Sequence, residues 1–254
     1  MNELVSIIMP SYNSDRYIGQ SIKSVINQTY VNWELIIVDD CSTDNTEKIV
    51  SEIKDTRIIF LKNEKNSGAA IARNKAISVA KGRWIAFLDS DDLWLPEKLE
   101  KQINFMNKNG YIFSYTDYER IDEDDISLNI YCSGPEIVDK NKMYRYCYPG
   151  CLTVMYNREK IGLIQINNIE KNNDYAMWLQ VCKKADCYLL KEALSKYRVR
   201  RKSVSHDRLL KLIKSHYDLF RICDEKPPII AFVFACRNII FGFIKKKKYE
   251  RVLK

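Results

Sequence analysis

Trp84-Ile-Ala-Phe-Leu-Asp-Ser-Asp-Asp-Leu-Trp94 decides how the rest of the chain is read. Trp84 to Leu88 carry no charge and have the length of a buried strand, and three carboxylates, Asp89, Asp91 and Asp92, follow at once. A strand that ends this way puts negative charge at the carboxyl edge of a sheet, which is where open α/β sheets bind ligands. Carboxylates so close repel one another unless a cation sits among them. Hard oxygen ligands suit Mg²⁺ or Mn²⁺, and such ions also grip substrate phosphates. The first reading is therefore a divalent-metal site for a nucleotide phosphate. The plain alternative is a helix N-cap and solvated turn ahead of Leu93-Trp-Leu-Pro-Glu-Lys98.

Towards the N-terminus the same pattern recurs. Leu4 to Met9 is an apolar run ended by Pro10, and a helix with Ile18, Ile22, Val25 and Ile26 on one face follows, with Ser14 or Asp15 as its expected cap. Leu35 to Val38 is a second strand and also ends in acid, Asp39-Asp40. The loop 41–46 leads into a helix with Ile49, Val50 and Ile53. Ile58 to Leu61 is a third strand, and Ser67 is placed to cap an Ala-rich helix reaching about Ala80. This alternation predicts an α/β fold with a Rossmann-like, mostly parallel central sheet flanked by helices, its acids collected at one edge. Beyond the opening stretch, Pro96 suits the first position of a helix. Strands are expected at 111–118, 152–156 and 187–190, the last extended by 194–199. A helix follows Asn172-Asn173-Asp174. Residues 119–146 carry no readable element, with Asp122 to Asp125 expected as a solvated loop.

The chain of 254 residues is 46% hydrophobic and 29% charged, enough for one large domain with an appendage. Met1-Asn-Glu-Leu lacks the basic start and apolar run of a secretion signal, so a cytoplasmic location is expected. Eight cysteines include no Cys-x-x-Cys, and reduced, buried thiols are the expectation. Charge is uneven: residues 191–254 hold 18 Lys and Arg against 6 Asp and Glu, whereas residues 1–190 hold 23 against 27. Such a basic tail calls for an anionic partner. Residues 229–244 are apolar except for Arg237-Asn238, and Lys245 to Lys248 follow. That stretch is too short and too polar for a span of about 20 apolar residues. It fits an interfacial helix with a polybasic flank, on the inner face of the plasma membrane, or a helix packed on the body with solvated lysines.

Val5-Ser-Ile-Ile-Met-Pro-Ser-Tyr-Asn13, Ile36-Ile-Val-Asp-Asp-Cys-Ser-Thr-Asp44, Gly68-Ala-Ala-Ile-Ala-Arg-Asn74 and Phe87-Leu-Asp-Ser-Asp-Asp92 stand in an order that resembles the family 2 inverting glycosyltransferases of GT-A fold. Asn173-Asp-Tyr-Ala-Met-Trp-Leu179 and Tyr197-Arg-Val-Arg-Arg-Lys-Ser-Val-Ser205 resemble later motifs of that family. The resemblance covers about residues 3–205 and implies a GT-A domain over 1–205 with a helical, basic tail over 206–254. It implies a UDP-sugar donor, a Mn²⁺ or Mg²⁺ cofactor, and a glycan or undecaprenyl-diphosphate-linked sugar as acceptor, in O-antigen or capsule synthesis.

Roles follow from the same resemblance. Tyr12 would stack on the base, Asp39 would hydrogen-bond the uracil, and Arg73 would lie near base or phosphates. Asp89 would contact ribose or donor sugar and Asp91 would ligate the metal, with Pro10, Asn13 and Ser90 also in the nucleotide-sugar site. Asp174 would be the base that inversion requires opposite the leaving group, although the preceding residue, Asn173, is not the usual acid. Arg200 stands where relatives often carry His, and a guanidinium there suits a diphosphate. Each residue has a plain alternative: packed aromatic for Tyr12, turn former for Asp39, surface position for Arg73, N-cap for Asp174, solvated loop for Arg200. A nucleotidyltransferase would need a Gly-rich, Lys-containing loop after the first strand, which Pro10-Ser-Tyr-Asn-Ser-Asp15 is not. The acidic body argues against nucleic acid as partner.

Overall fold

The computed structural model describes residues 3–200 and 209–252. Strands β1 (Val5–Ser11), β2 (Trp33–Asp39), β3 (Ile58–Lys62) and β4 (Trp84–Phe87) lie in the order β3-β2-β1-β4, all parallel. The crossovers are α1 (Ile18–Ile26), α2 (Thr46–Glu52) and α3 (Ala69–Val79). β1 and β2 are buried along their whole length, so they read as continuous apolar runs rather than as alternation. Alternate side chains still go to opposite faces. Ile7, Met9, Leu35 and Ile37 pack with α1 on one side, while Ile8, Ile36 and Val38 pack with α3 on the other.

The second half of the sheet is mixed. It comprises β5 (Leu93–Trp94), α4 (Lys98–Asn109), β6 (Phe113–Ile121), β7 (Ser127–Cys132), β8 (Ile137–Val138), α5 (Lys140–Arg145), β9 (Met155–Asn157), α6 (Arg158–Ile161), α7 (Asn173–Val181) and β10 (Cys187–Arg198). β9 lies antiparallel between β4 and β6, and β7 runs antiparallel to β6. β10 is parallel to β6 but antiparallel to β5 and β8. Residues 119–146, which showed no element in the sequence, thus hold β7, β8 and α5; β7 is mostly half-buried or exposed, which blurs its alternation. The strand expected at 152–156 begins only at Met155. The Gly150 carbonyl accepts both the N–H and the hydroxyl of Thr153, closing a 3-10 turn over Cys151–Thr153. Pro96 precedes α4 by two residues, and its carbonyl accepts the Thr29 N–H. Neither Ser14 nor Asp15 caps α1 through its side chain. Ser14 instead bonds Ser11 through its hydroxyl and offers its carbonyl to Tyr17 and Ile18.

α7 is keyed to the sheet by Trp178. Its ring meets Phe87 of β4 edge-on at 4.9 Å and lies 6.0 Å from Phe113 of β6. Such aromatic pairs add about 0.5–1.5 kcal/mol beyond their area burial. They fix the first turn of α7 relative to the end of β4.

The expected boundary at 205/206 and His206 lie outside the described residues. Beyond them, α8 (Leu209–Asp218) runs into a π-helical turn at Leu219–Cys223, then α9 (Pro228–Tyr249) and β11 (Glu250–Val252). Leu219, Phe220 and Ala231 share one core with Trp178, and β11 pairs antiparallel with β7. α9 is long and apolar enough to cross a membrane by length and composition. Its inner face, however, is bonded to the body. Asn238 Nδ2 donates to the Tyr175 hydroxyl at 2.6 Å and an Arg237 amine donates to the Tyr144 carbonyl at 3.1 Å. The outer face exposes Ile229, Phe232, Val233, Ile240, Phe243 and Ile244.

The Tyr175 hydroxyl also donates to the Met143 carbonyl at 2.6 Å, so it joins α7, α9 and the helix preceding the Tyr146 loop. Tyr175→Phe strands two buried partners. It should lower the unfolding free energy by about 1–3 kcal/mol, seen as a reduced urea midpoint at unchanged slope.

Candidate active site

The loops after β1, β2 and β4 meet at the carboxyl edge of the parallel strands. Asp39, at the end of β2, is fully buried. Its carboxylate accepts the Ser42 N–H at 3.0 Å and the Ser42 hydroxyl. Asn13 and Cys41 hold positive φ angles of 45° and 67°, unusual for side-chain-bearing residues and a mark of loops held by their surroundings. Asn13 N–H donates to Ser42 Oγ, and Asn13 Oδ1 accepts the Thr43 N–H. Asp39 and Asn13 therefore lock the two loops together; neither lines the cleft described below.

The neighbour of Asp39 does the reverse. Asp40 accepts from Asn63 Nδ2 at 2.8 Å, Ser67 N–H at 3.0 Å and Gly68 N–H at 2.6 Å. It caps α3 from the end of β2, which replaces the expected Ser67 cap, and its charge faces the positive end of the helix. Gly68 has φ of 92°, a conformation that disfavours a side chain. Asp40 lines the cleft.

At the end of β4, Asp89 is paired at 2.5 Å with Arg73, a buried residue of α3 rather than a surface one. The other Arg73 amine donates to Asn173 Oδ1, at the start of α7. The amide accepts without contributing a charge, so the Arg73 cation acts on Asp89 and on Asp174. Asp174 stands in the first turn of α7 and is not its N-cap, which is Asn172 with φ of 59°. Burial raises the Asp174 pKa and Arg73 holds it back.

Asp91 and Asp92 divide the remaining roles. Asp91 Oδ2 lies 2.9 Å from Arg200 Nε; its pKa is raised by burial, with Arg200 opposing and Asp89 adding. Asp92 is almost wholly buried and accepts the Arg198 N–H at 2.9 Å. Burial raises its pKa well above the usual range, and Asp91 and Asp89 add to the shift. Arg198, at the end of β10, is equally buried. Its Nε donates to the Asp91 carbonyl at 2.8 Å, and one amine reaches Gln20 at 3.0 Å and Asp125 at 2.7 Å. Its guanidinium also lies 4.5 Å from the Tyr17 ring centroid.

One cleft of 680 Å³ gathers Pro10, Tyr12, Arg73, Asp89, Ser90, Asp91 and Arg200. Tyr12 is half-exposed, as an aromatic waiting for a stacking partner would be. Asp40, Tyr197, Arg198 and His216 also line it and were missed in the sequence. Asp40 stood next to an acid already chosen, and spacing could not say which of the two faced the cleft. His216 carried no signal, since it is one residue of an amphipathic helix. Burial pushes its pKa down to about 4, so it is neutral at pH 7, with Asn172 Nδ2 3.2 Å from Nδ1.

Among the described residues no cluster of three His, Cys, Asp or Glu forms a metal cage. The donor set still fits Mg²⁺ or Mn²⁺, which commonly take one or two carboxylates and complete their shell with phosphate oxygens and water. Asp89 raises the Asp91 pKa, and Asp89 and Asp91 both raise that of Asp92, a repulsion that a cation among them relieves.

The glycosyl transferase family 2 model matches residues 6–161. A relative named for teichuronic acid biosynthesis, TuaG of Bacillus subtilis, is 44% identical over 81% of this chain and 82% of its own length. The Escherichia coli UDP-Glc:α-D-GlcNAc-diphosphoundecaprenol β-1,3-glucosyltransferase WfgD is 41% identical over 97% of this chain and 96% of its own. Staphylococcus aureus TarS 1-349 in complex with UDP-GlcNAc superposes with a TM-score of 0.74 at 19% identity, over 97% of this chain and 74% of that one. The chain belongs to glycosyl transferase family 2 and is a glycosyltransferase of GT-A fold.

Proposed function

We propose that this enzyme transfers a hexose, glucose before galactose, from a UDP-sugar to a sugar carried on undecaprenyl diphosphate, with inversion, at the inner face of the plasma membrane. The product would be an O-antigen- or capsule-type glycan. The observation that carries the donor site is the single cleft in which Tyr12, Arg73, Asp89, Asp91 and Arg200 converge. The lipid-linked acceptor and the preference for glucose rest on the likeness to WfgD.

Tyr12 offers its ring to the base, on a loop braced by Asn13 and Asp39. Asp89 and Ser90 accept or donate to ribose and donor-sugar hydroxyls. Arg73 and Arg200 supply fixed positive charge near the diphosphate, where charge grows as the glycosidic bond breaks. Mg²⁺ or Mn²⁺, held through Asp91, would add Lewis-acid neutralisation of that leaving group. Asp174 takes the proton of the attacking acceptor hydroxyl. Its raised pKa makes it a stronger base than an ordinary aspartate, and the Arg73 cation opposes that rise. The outer face of α9, with Lys246, Lys247 and Lys248 at its end, meets an anionic membrane while the inner face stays bonded to the body.

Three outcomes test this reading. Asp174→Asn should lower kcat by about 10²–10⁴-fold with UDP affinity retained; a loss confined to KM would refute the base. Wild-type transfer should fall as pH drops through a pKa above that of a free aspartate, because the base is active only when ionised, and Asp174→Asn should lack this acid limb. Ile240→Asp with Phe243→Asp should abolish sedimentation with anionic vesicles while leaving the circular dichroism spectrum unchanged; undiminished sedimentation removes α9 from the membrane contact.

A further inference from the structure

A second cavity, of 570 Å³, lies beside the donor cleft. One wall is α8, through Lys211, Lys214, Ser215 and Asp218, continued by Ile222 of the π-helical turn. These positions recur at three and four residues and so form one helical stripe. The facing wall is the segment 168–171 that leads into α7. Lys171 comes from that wall, so ammonium groups approach the groove from both sides. Two carboxylates are also present. Asp218 takes Lys214 Nζ at 2.8 Å, and Glu170 lies on the wall opposite.

Adjacency gives the groove its meaning. Glu170, Lys171 and Ser215 line both cavities, so the two adjoin. At its N-terminal end α8 exposes Leu209, Leu210 and Leu212, and Leu212 reaches the donor cleft. Basic groups beside a sugar-transfer cleft, with an exposed apolar helix end bordering both, match the three parts of such a ligand: sugar, phosphates, lipid. An acceptor whose hydroxyl points at the donor carries its anomeric phosphates on the far side of its ring. The cavity adjoining the cleft is where those phosphates arrive.

We infer that the groove between α8 and residues 168–171 is the subsite for the diphosphate of a lipid-linked acceptor, with Lys211 and Lys214 as phosphate contacts. This rests on the proposed acceptor class and adds where its charge is held. It also separates two basic regions: the α8 groove binds the acceptor's phosphates, and the lysines ending α9 face the bilayer.

The test is direct binding, without catalysis, by isothermal titration of the full chain. The probes are a hexose diphosphate bearing a short alkyl chain and the same hexose as an alkyl glycoside, each below its micelle concentration. Lys211→Glu and Lys214→Glu, both at exposed helix positions, should each weaken the diphosphate by at least about tenfold, the scale of one charged hydrogen bond. Glycoside and UDP affinities should not move. Equal weakening of both sugars, or unchanged diphosphate affinity, overturns the subsite. UDP titration of the same samples separates the two readings. If UDP binds and the diphosphate shows no lysine dependence, the groove falls and the donor site stands. If UDP fails to bind while the diphosphate still depends on Lys211, the groove stands and the proposed reaction falls. Anionic vesicles form the last arm: a lysine dependence seen only with vesicles assigns the groove to membrane headgroups and overturns the proposal.

Discussion

Five carboxylates crowd one end of a parallel sheet, and the surrounding structure exists to make that tolerable. Asp39, Asp40, Asp89, Asp91 and Asp92 follow β2 and β4, and burial penalises every charge kept there. Each is answered differently. Asp39 is closed off by the Ser42 turn and Asp40 by the backbone N–H groups that begin α3. Asp89 faces Arg73, Asp91 faces Arg200, and Asp92 accepts from Arg198. The first two answers are local and make loops. The last three come from α3 and from the end of β10, and they are what ties the parallel half to the remainder. Removing one partner of a buried ion pair leaves an uncompensated charge, so Arg73, buried beside Asp89, secures the fold as well as the site.

The parallel half was legible because its signals are local. Apolar runs of strand length, each ended by an acid, alternate with helical stripes, and period and punctuation suffice to order them. The mixed half was legible only in part. β7 is largely exposed and β8 has two residues, so neither imposes a pattern. The Gly150 turn broke an apolar run that looked like continuous strand. The expected helix starts failed for different reasons: α1 has no side-chain cap, and the cap of α3 is distant in sequence. Asp40 caps α3 from the far side of α2 and β3 in the chain, and no local rule sees it.

The site divides along the same line. Seven of the residues chosen in the sequence share one cleft because the sheet aligns the strand ends, loops and helix α3 that carry their motifs. Asp39 and Asn13 belong to those motifs, but their bonds run within and between the loops they hold, Asp39 buried and Asn13 exposed. The distinction between a motif residue that touches a ligand and one that shapes the loop is a matter of side-chain direction, which spacing does not encode. His216 lies at the opposite extreme. It enters the cleft from α8, beyond the reach of any motif, and the packing of that helix on α9 and against Tyr175 brings it there.

Arg198 carries a consequence for anyone who would rebuild this enzyme. Its guanidinium bonds the main chain of Asp91 and reaches Gln20 and Asp125, while its own main-chain N–H holds the side chain of Asp92. The acidic loop is therefore not a cassette that can be lifted out and exchanged. Its true unit of inheritance is a discontinuous one: a loop, a strand end and a hairpin some hundred residues apart in the chain, which must be transplanted together or drift together.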